Sequence, residues 1–82
     1  MQLFEGLVDD KILKIINLFL NKPDEFFHIN QTSELTGVSL ASTFRIINKL
    51  VEKNILDYKE ISKFKVYKLA ENKKTKKLGE VL

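Results

Sequence analysis

Cysteine is absent from the 82 residues. That excludes disulfides and thiolate metal sites, and nothing ties the chain to an oxidising compartment. Histidine occurs once, at His28, and a lone imidazole without Cys, His or acidic partners at ligand spacing is poor material for a metal centre. No apolar run is long enough to span a membrane, and no signal peptide or lipidation motif is visible at either end. The expected location is the cytoplasm, around the nucleoid, with no membrane partner. Catalytic constellations are missing as well: no nucleophile–base pair, no phosphate-cradling glycine loop and no cluster of metal ligands. The adjacent acids Asp24 and Glu25 follow Pro23 with no partner groups and read as solvated loop residues. No enzyme activity, catalytic residue, cofactor or metal is expected.

What is present describes one small domain. A chain of 82 residues can build a single core but not two, and 44% hydrophobic content is ordinary for a globular fold. The net charge of +3 is modest but uneven. Residues 1–30 carry three lysines against five acids, whereas residues 31–82 carry eleven basic against six acidic side chains. A basic half suits a polyanion, because lysine and arginine release counterions from phosphates. Scattered lysines also describe any solvated surface. Of the 14 basic residues only one, Arg45, is an arginine, so its position carries more information than the total.

The chain is organised around residues 31–54, QTSELTGVSLASTFRIINKLVEKN. Asn30 is an expected N-cap for a short helix over residues 31–36, with Thr32 and Leu35 inward and Ser33 small enough for close helix approach. Gly37 stands where that helix must stop and reverse, since glycine takes a left-handed backbone at little steric cost. Val38 anchors the turn and Ser39 caps a second helix over residues 39–53. Its apolar stripe is expected to be Leu40, Thr43, Phe44, Ile47, Leu50 and Val51, at three- and four-residue steps. The opposite face then carries Ser42, Arg45 and Lys49, flanked by Ala41 and Asn48. Two helices joined by so short a turn form a helix-turn-helix motif, whose second helix can enter a DNA major groove.

The flanks fill out the domain. Leu3, Phe4, Leu7 and Val8 form a one-sided apolar pattern despite Gly6. Asp9 and Asp10 open a helix with Ile12, Ile15, Ile16, Phe19 and Leu20 inward and Leu18 on the outer side; Pro23 ends it. Residues 26–29 are β-prone and place His28 on a partly exposed strand. Asn54 occupies the left-handed position that terminates the second motif helix. Residues 55–61 and 64–69 alternate as two strands joined at Ser62 and Lys63, with Tyr67 and Leu69 on one face and Phe64 and Val66 on the other. In the tail, Lys73, Lys74, Lys76 and Lys77 precede Leu78, Val81 and Leu82 at helical spacing.

The succession of helix, short strand, helix, turn, helix and hairpin resembles the winged helix-turn-helix transcription regulators of the MarR, ArsR and TrmB kinds found in archaea and bacteria. The resemblance covers residues 9–69. It rests on TSELTGVS for the first motif helix and turn, STFRIINKLVEKNIL for the second helix and its exit, and KVYKL for the last wing strand. Two positions depart from the family pattern: Asn54 replaces a glycine, and Thr32 replaces a core-facing leucine or isoleucine.

The resemblance implies an α+β, mostly helical fold, a single domain with core 9–69 and terminal extensions 1–8 and 70–82. It implies sequence-specific binding of double-stranded DNA by a homodimer, the second motif helix lying in the major groove. Carried onto this chain, Ala41, Ser42, Arg45, Asn48 and Lys49 would meet base edges or nearby phosphates, arginine being the commonest reader of guanine. Gln31, Thr32 and Ser33 would meet a phosphate at the start of the first motif helix. Lys63 and Lys65 would be the wing contacts. The terminal extensions, including Leu3, Phe4 and Leu7, would supply a two-fold interface. Winged helices also serve as protein-interaction modules in larger complexes, and Ile46 and Leu18 are the residues that would mark such a contact here.

Overall fold

The computed structural model describes residues 10–81. Leu3, Phe4, Leu7, Val8, Asp9 and Leu82, assigned above to terminal apolar faces and a helix cap, lie outside the described residues. The first helix, α1 (Asp10–Asn21), buries Ile15, Ile16 and Phe19, the i, i+1, i+4 stripe of an amphipathic helix. Leu18 departs from expectation: with Ile12 and Leu20 it is partly buried against the same core. The chain leaves α1 before Pro23, which has no amide hydrogen with which to continue the ladder.

Residues 26–29 contribute one bridging residue rather than a strand. Phe27 exchanges two backbone hydrogen bonds with Tyr67, both 2.8 Å, as an isolated antiparallel bridge. Its ring meets Phe19 edge to face at 5.5 Å between centroids, the arrangement that aromatic quadrupoles favour. His28 is not a strand residue. It is the N-cap of α2 (Ile29–Thr36): its Nδ1 accepts the Gln31 amide at 3.1 Å, and the Gln31 side chain accepts the His28 amide. This reciprocal box satisfies two amide donors at a helix start. The imidazole does here what the side chain of Asn30 was expected to do, so the helix begins before Asn30.

Helix α2 buries Thr32 completely and half-buries Ile29, Ser33 and Thr36, while Leu35 is 59% exposed. The expected inward pair is therefore half right. Thr32 fills a leucine position without leaving a buried polar orphan, because its hydroxyl donates to the His28 carbonyl at 3.0 Å. Gly37 follows at φ 75° and closes the helix by donating its amide to Ser33. Helix α3 (Leu40–Glu52) is capped by Ser39, whose hydroxyl oxygen accepts the Ser42 amide. Its buried residues are Thr43, Ile46, Ile47 and Leu50. Leu40 and Phe44, expected inside, are 51% and 56% exposed, and Ile46, expected as a surface contact, is 4% exposed. At 100° per residue the buried stripe lies about 50° round the helix from the expected one.

Asn54, at φ 62°, turns the chain out of α3. Strands β1 (Leu56–Ile61) and β2 (Phe64–Leu69) pair antiparallel, from Leu56 opposite Leu69 at the base to Ile61 opposite Phe64 at the tip. Leu56 and Tyr67 anchor the base in the core, where Ile15, Phe19 and Ile47 are fully buried. Each such large side chain contributes about 1.5–3 kcal/mol by leaving water. The ribbon beyond them projects into solvent. The tail forms α4 (Lys73–Val81). Asn72 Oδ1 accepts the Thr75 amide at its start, and the side chains of Asn72 and Lys74 reach back to the carbonyls of Asn54 and Lys53.

The turn between α2 and α3 depends on one acceptor. The Val38 carbonyl receives the hydroxyls of both Ser33 from α2 and Thr43 from α3. Ser33→Ala and Thr43→Val should each cost about 1 kcal/mol in urea denaturation, since one donor survives in each. The double variant should cost more than the two together, because it strips a buried carbonyl of both hydroxyl partners. Simple additivity would show that the two hydroxyls act independently.

Candidate nucleic-acid interface

The exposed side of α3 follows from its buried one. Opposite Thr43, Ile46, Ile47 and Leu50 stand Ala41, Arg45, Asn48 and Glu52, all exposed. Leu40 and Phe44 border this face on one side, Lys49 and the half-buried Ser42 on the other. Arg45 makes no ion pair with Glu34 or Glu52, and among the described residues Arg45, Lys49, Lys59, Lys63 and Lys65 have no carboxylate within salt-bridge reach. The internal ion pair that would have explained Arg45 without a ligand is not formed. A guanidinium and ammonium groups left to solvent keep their charge available to a polyanion.

Two grooves flank this face. The first is bordered by His28, Ile29 and Asn30 at the start of α2, by Phe44 of α3, and by Lys63, Phe64 and Lys65 of the wing. Of the residues expected at nucleic acid, Lys63 and Lys65 border this concavity, beside the start of α2 and Phe44 of α3. Lys65 also lies over the Tyr58 ring, 5.0 Å from its centroid, which holds the ammonium on the ribbon without neutralising it. The second groove runs between α1 and α3, lined by Ile12, Ile16, Arg45, Lys49, Leu50 and Lys53 among others. Arg45 and Lys49 therefore lie on the flank of α3 away from the wing, and Lys53 continues their row at i, i+4, i+8.

The residues expected at the start of α2 divide. Gln31 is exposed and its side chain is engaged in the capping box. Thr32 is withdrawn: it has no exposed surface, and its hydroxyl is spent on His28. The Ser33 hydroxyl is likewise committed, to Val38, so neither side chain is free for a phosphate. Sequence reasoning missed Leu40 and Phe44 as surface residues, and Lys53 as part of the cationic row. The i, i+4, i+8 spacing of Arg45, Lys49 and Lys53 was readable. The exposure of Leu40 and Phe44 was not, because apolar residues cover two overlapping arcs of α3 that share Thr43, Ile47 and Leu50.

No helix among the described residues is long and apolar enough to cross a membrane, and no group of three or more His, Asp or Glu among them is placed to hold a metal ion.

No protein-family model matches the chain, and no curated protein matches it. Solved structures do. A ferric uptake regulator from Francisella tularensis superposes with a TM-score of 0.71 over 80% of this chain and 55% of its own, at 17% identity. A possible transcriptional regulator from Methanosarcina mazei gives 0.72 over 90% of this chain and 66% of its own, at 20% identity. The homodimeric winged helix-turn-helix DNA-binding domain from Mycobacterium bovis, a possible ArsR-family regulator, gives 0.70 over 94% of this chain and 68% of its own, at 14% identity. The chain spans 55% and 66% of the length of the first two. At these identities the likeness concerns architecture. With three helices, a two-stranded wing and a C-terminal helix in the same arrangement, the chain has the winged helix-turn-helix fold.

Proposed function

We propose that this chain is a DNA-binding transcription regulator that recognises double-stranded DNA sequence-specifically, with α3 in the major groove and the wing on the adjacent backbone. The observation that carries the reading is the single groove bordered by the start of α2, by α3 and by Lys63 and Lys65 of the wing. An α-helix fits a major groove about 12 Å wide, and a wing beside it meets the flanking phosphates. Arg45 and Lys49, solvent-facing and without an ion pair among the described residues, supply charge on α3. On this reading Ala41, Ser42, Arg45, Asn48 and Lys49 face base edges or nearby phosphates. Gln31 meets the backbone through its side chain, and the α2 start through its amides. The chain acts by binding, with no cofactor, and works where DNA is, in the cytoplasm around the nucleoid.

Arg45 should read sequence while Lys63 anchors. Arg45→Ala should cost about 1–3 kcal/mol on a preferred site and much less on random DNA. Lys63→Ala should weaken both alike and flatten the salt dependence by about one counterion. Binding isotherms on both duplexes across a salt series, with circular dichroism to verify folding, make the test. A folded Arg45→Ala variant that binds both duplexes like the parent removes Arg45 as a reader.

Assembly as a two-fold homodimer belongs to the same proposal. The similar domain from Mycobacterium bovis is homodimeric, and α4, the last described element here, carries the half-buried Leu78. A dimer would set two α3 helices about one DNA turn apart, roughly 34–36 Å. Sedimentation should show a dimer at high micromolar concentration; a monomer there removes the dimer.

A second reading has its own observation. Leu40 and Phe44 of α3 and Leu35 of α2 are each more than half exposed, which suits a protein partner in a larger complex. Failure to bind any duplex at low salt would favour it.

A further inference from the structure

The tip of the wing does not look like a phosphate clamp alone. Ile61 and Phe64 are paired directly across the hairpin and close its two-residue turn. They are 53% and 69% exposed, and neither joins the core cluster. Strand alternation puts both on one face of the ribbon with Lys59 and Val66, while Glu60 and Lys65 lie on the other. Single exposed apolar residues need no explanation. Two large ones paired at the tip of a ribbon make a continuous apolar end that is more than half exposed.

The turn keeps that end narrow. Ser62 takes φ 58°, so the chain reverses within Ser62 and Lys63 and brings Ile61 and Phe64 side by side. Lysines lie about it: Lys63 in the turn, Lys59 on the same face, and Lys65 on the opposite face with its ammonium over the Tyr58 ring, none with an ion pair among the described residues. An apolar point with ammonium groups about it matches a duplex, where stacked bases lie between two rows of phosphate. It matches an apolar protein groove poorly, since three charges would lose water there without a counter-charge. Phe64 also borders the groove that contains Phe44 of α3, so one duplex can meet both.

We propose that the wing tip is a wedge: Phe64, backed by Ile61, inserts between stacked base pairs from the minor groove and bends the duplex. The proposal rests on the duplex-binding reading above and adds to it a deformation of the DNA. Apolar side chains inserted from the minor groove partly unstack one base step and kink the duplex toward the major groove. Pyrimidine–purine steps unstack most readily, so the wedge adds a preference for TA or CA steps that no side-chain hydrogen bond reads. Lys59, Lys63 and Lys65 hold the phosphates on either side while the step opens.

The test uses the full chain and duplexes labelled at both ends for energy transfer, with 2-aminopurine placed at a single TA step. Binding is followed separately by anisotropy. The parent should raise energy transfer and 2-aminopurine fluorescence on binding. Phe64→Ala should lose both signals while still binding in a salt-dependent way, and Phe64→Leu, which keeps a wedge, should retain much of both. Replacing the TA step by an A-tract should weaken the parent but not Phe64→Ala. Since Phe64 lies outside the core, circular dichroism of the variants should match the parent. Duplex binding by the parent with no change in either signal overturns the wedge and leaves the duplex reading standing. Absence of any duplex binding overturns both. If Phe64→Ala keeps binding and both signals but dissociates a self-associated form in sedimentation, the tip is a protein contact and the wedge is wrong.

Discussion

The Val38 carbonyl is the acceptor on which the presentation of α3 depends. It sits in the reversal between α2 and α3, beside a buried valine side chain, and takes hydroxyl hydrogen bonds from both helices. Around it, Thr36 donates its hydroxyl to Thr32 at 2.7 Å and accepts the Val38 amide, Gly37 supplies the left-handed residue, and Ser39 caps the next helix. A turn of three residues leaves few backbone dihedrals to vary, and these bonds fix most of them. The angle between the helices is therefore set locally. Core packing of Ile46, Ile47 and Leu50 sets only how far α3 is rotated about its own axis. Direction and rotation together decide which side chains meet a ligand.

That division explains the mixed character of the exposed surface. The α3 face places Arg45 and Lys49 on its α1 side and Leu40 and Phe44 on its wing side, with Ala41 and Asn48 between. Charge provides long-range attraction to a polyanion and falls off with salt. Apolar side chains act only at contact, for instance against thymine methyl groups. The wing repeats the pattern, lysines surrounding an apolar tip. The combination fits a surface that finds DNA through its charge and then packs against its grooves.

Most of the fold was legible because local signals agreed with one another. Pro23, Gly37, Ser39 and Asn54 each mark a boundary that the structure keeps within a residue or two. The alternation of the wing strands put Tyr67 and Leu69 on one face, as observed. Legibility failed where two arrangements satisfy the same pattern. Seven apolar or partly apolar positions of α3, from Leu40 to Val51, cover an arc of about 160°, and only the position of α1 and the wing decides which part of it is buried. The site residues inherited that ambiguity, which is why Phe44 moved outside and Ile46 inside. The resemblance set Thr32 and Ser33 against a phosphate, but their hydroxyls are bonded within the helix and the turn. His28 was misplaced because a cap is usually a short oxygen-bearing side chain, and imidazole nitrogen supplied the same acceptor here.

On the proposed function one face, made by α3 and the wing together, receives duplex DNA. Amide chemical shifts of the isotope-labelled protein, followed during titration with a random-sequence duplex at low salt, test it most directly. Shifts should concentrate at Ala41, Ser42, Arg45, Asn48 and Lys49, at Gln31 beside the start of α2, and from Ser62 to Lys65 in the wing. Amides of the buried side of α1 and of α4 should move little. Shifts confined to α1 or α4, or to α3 without the wing, would contradict it.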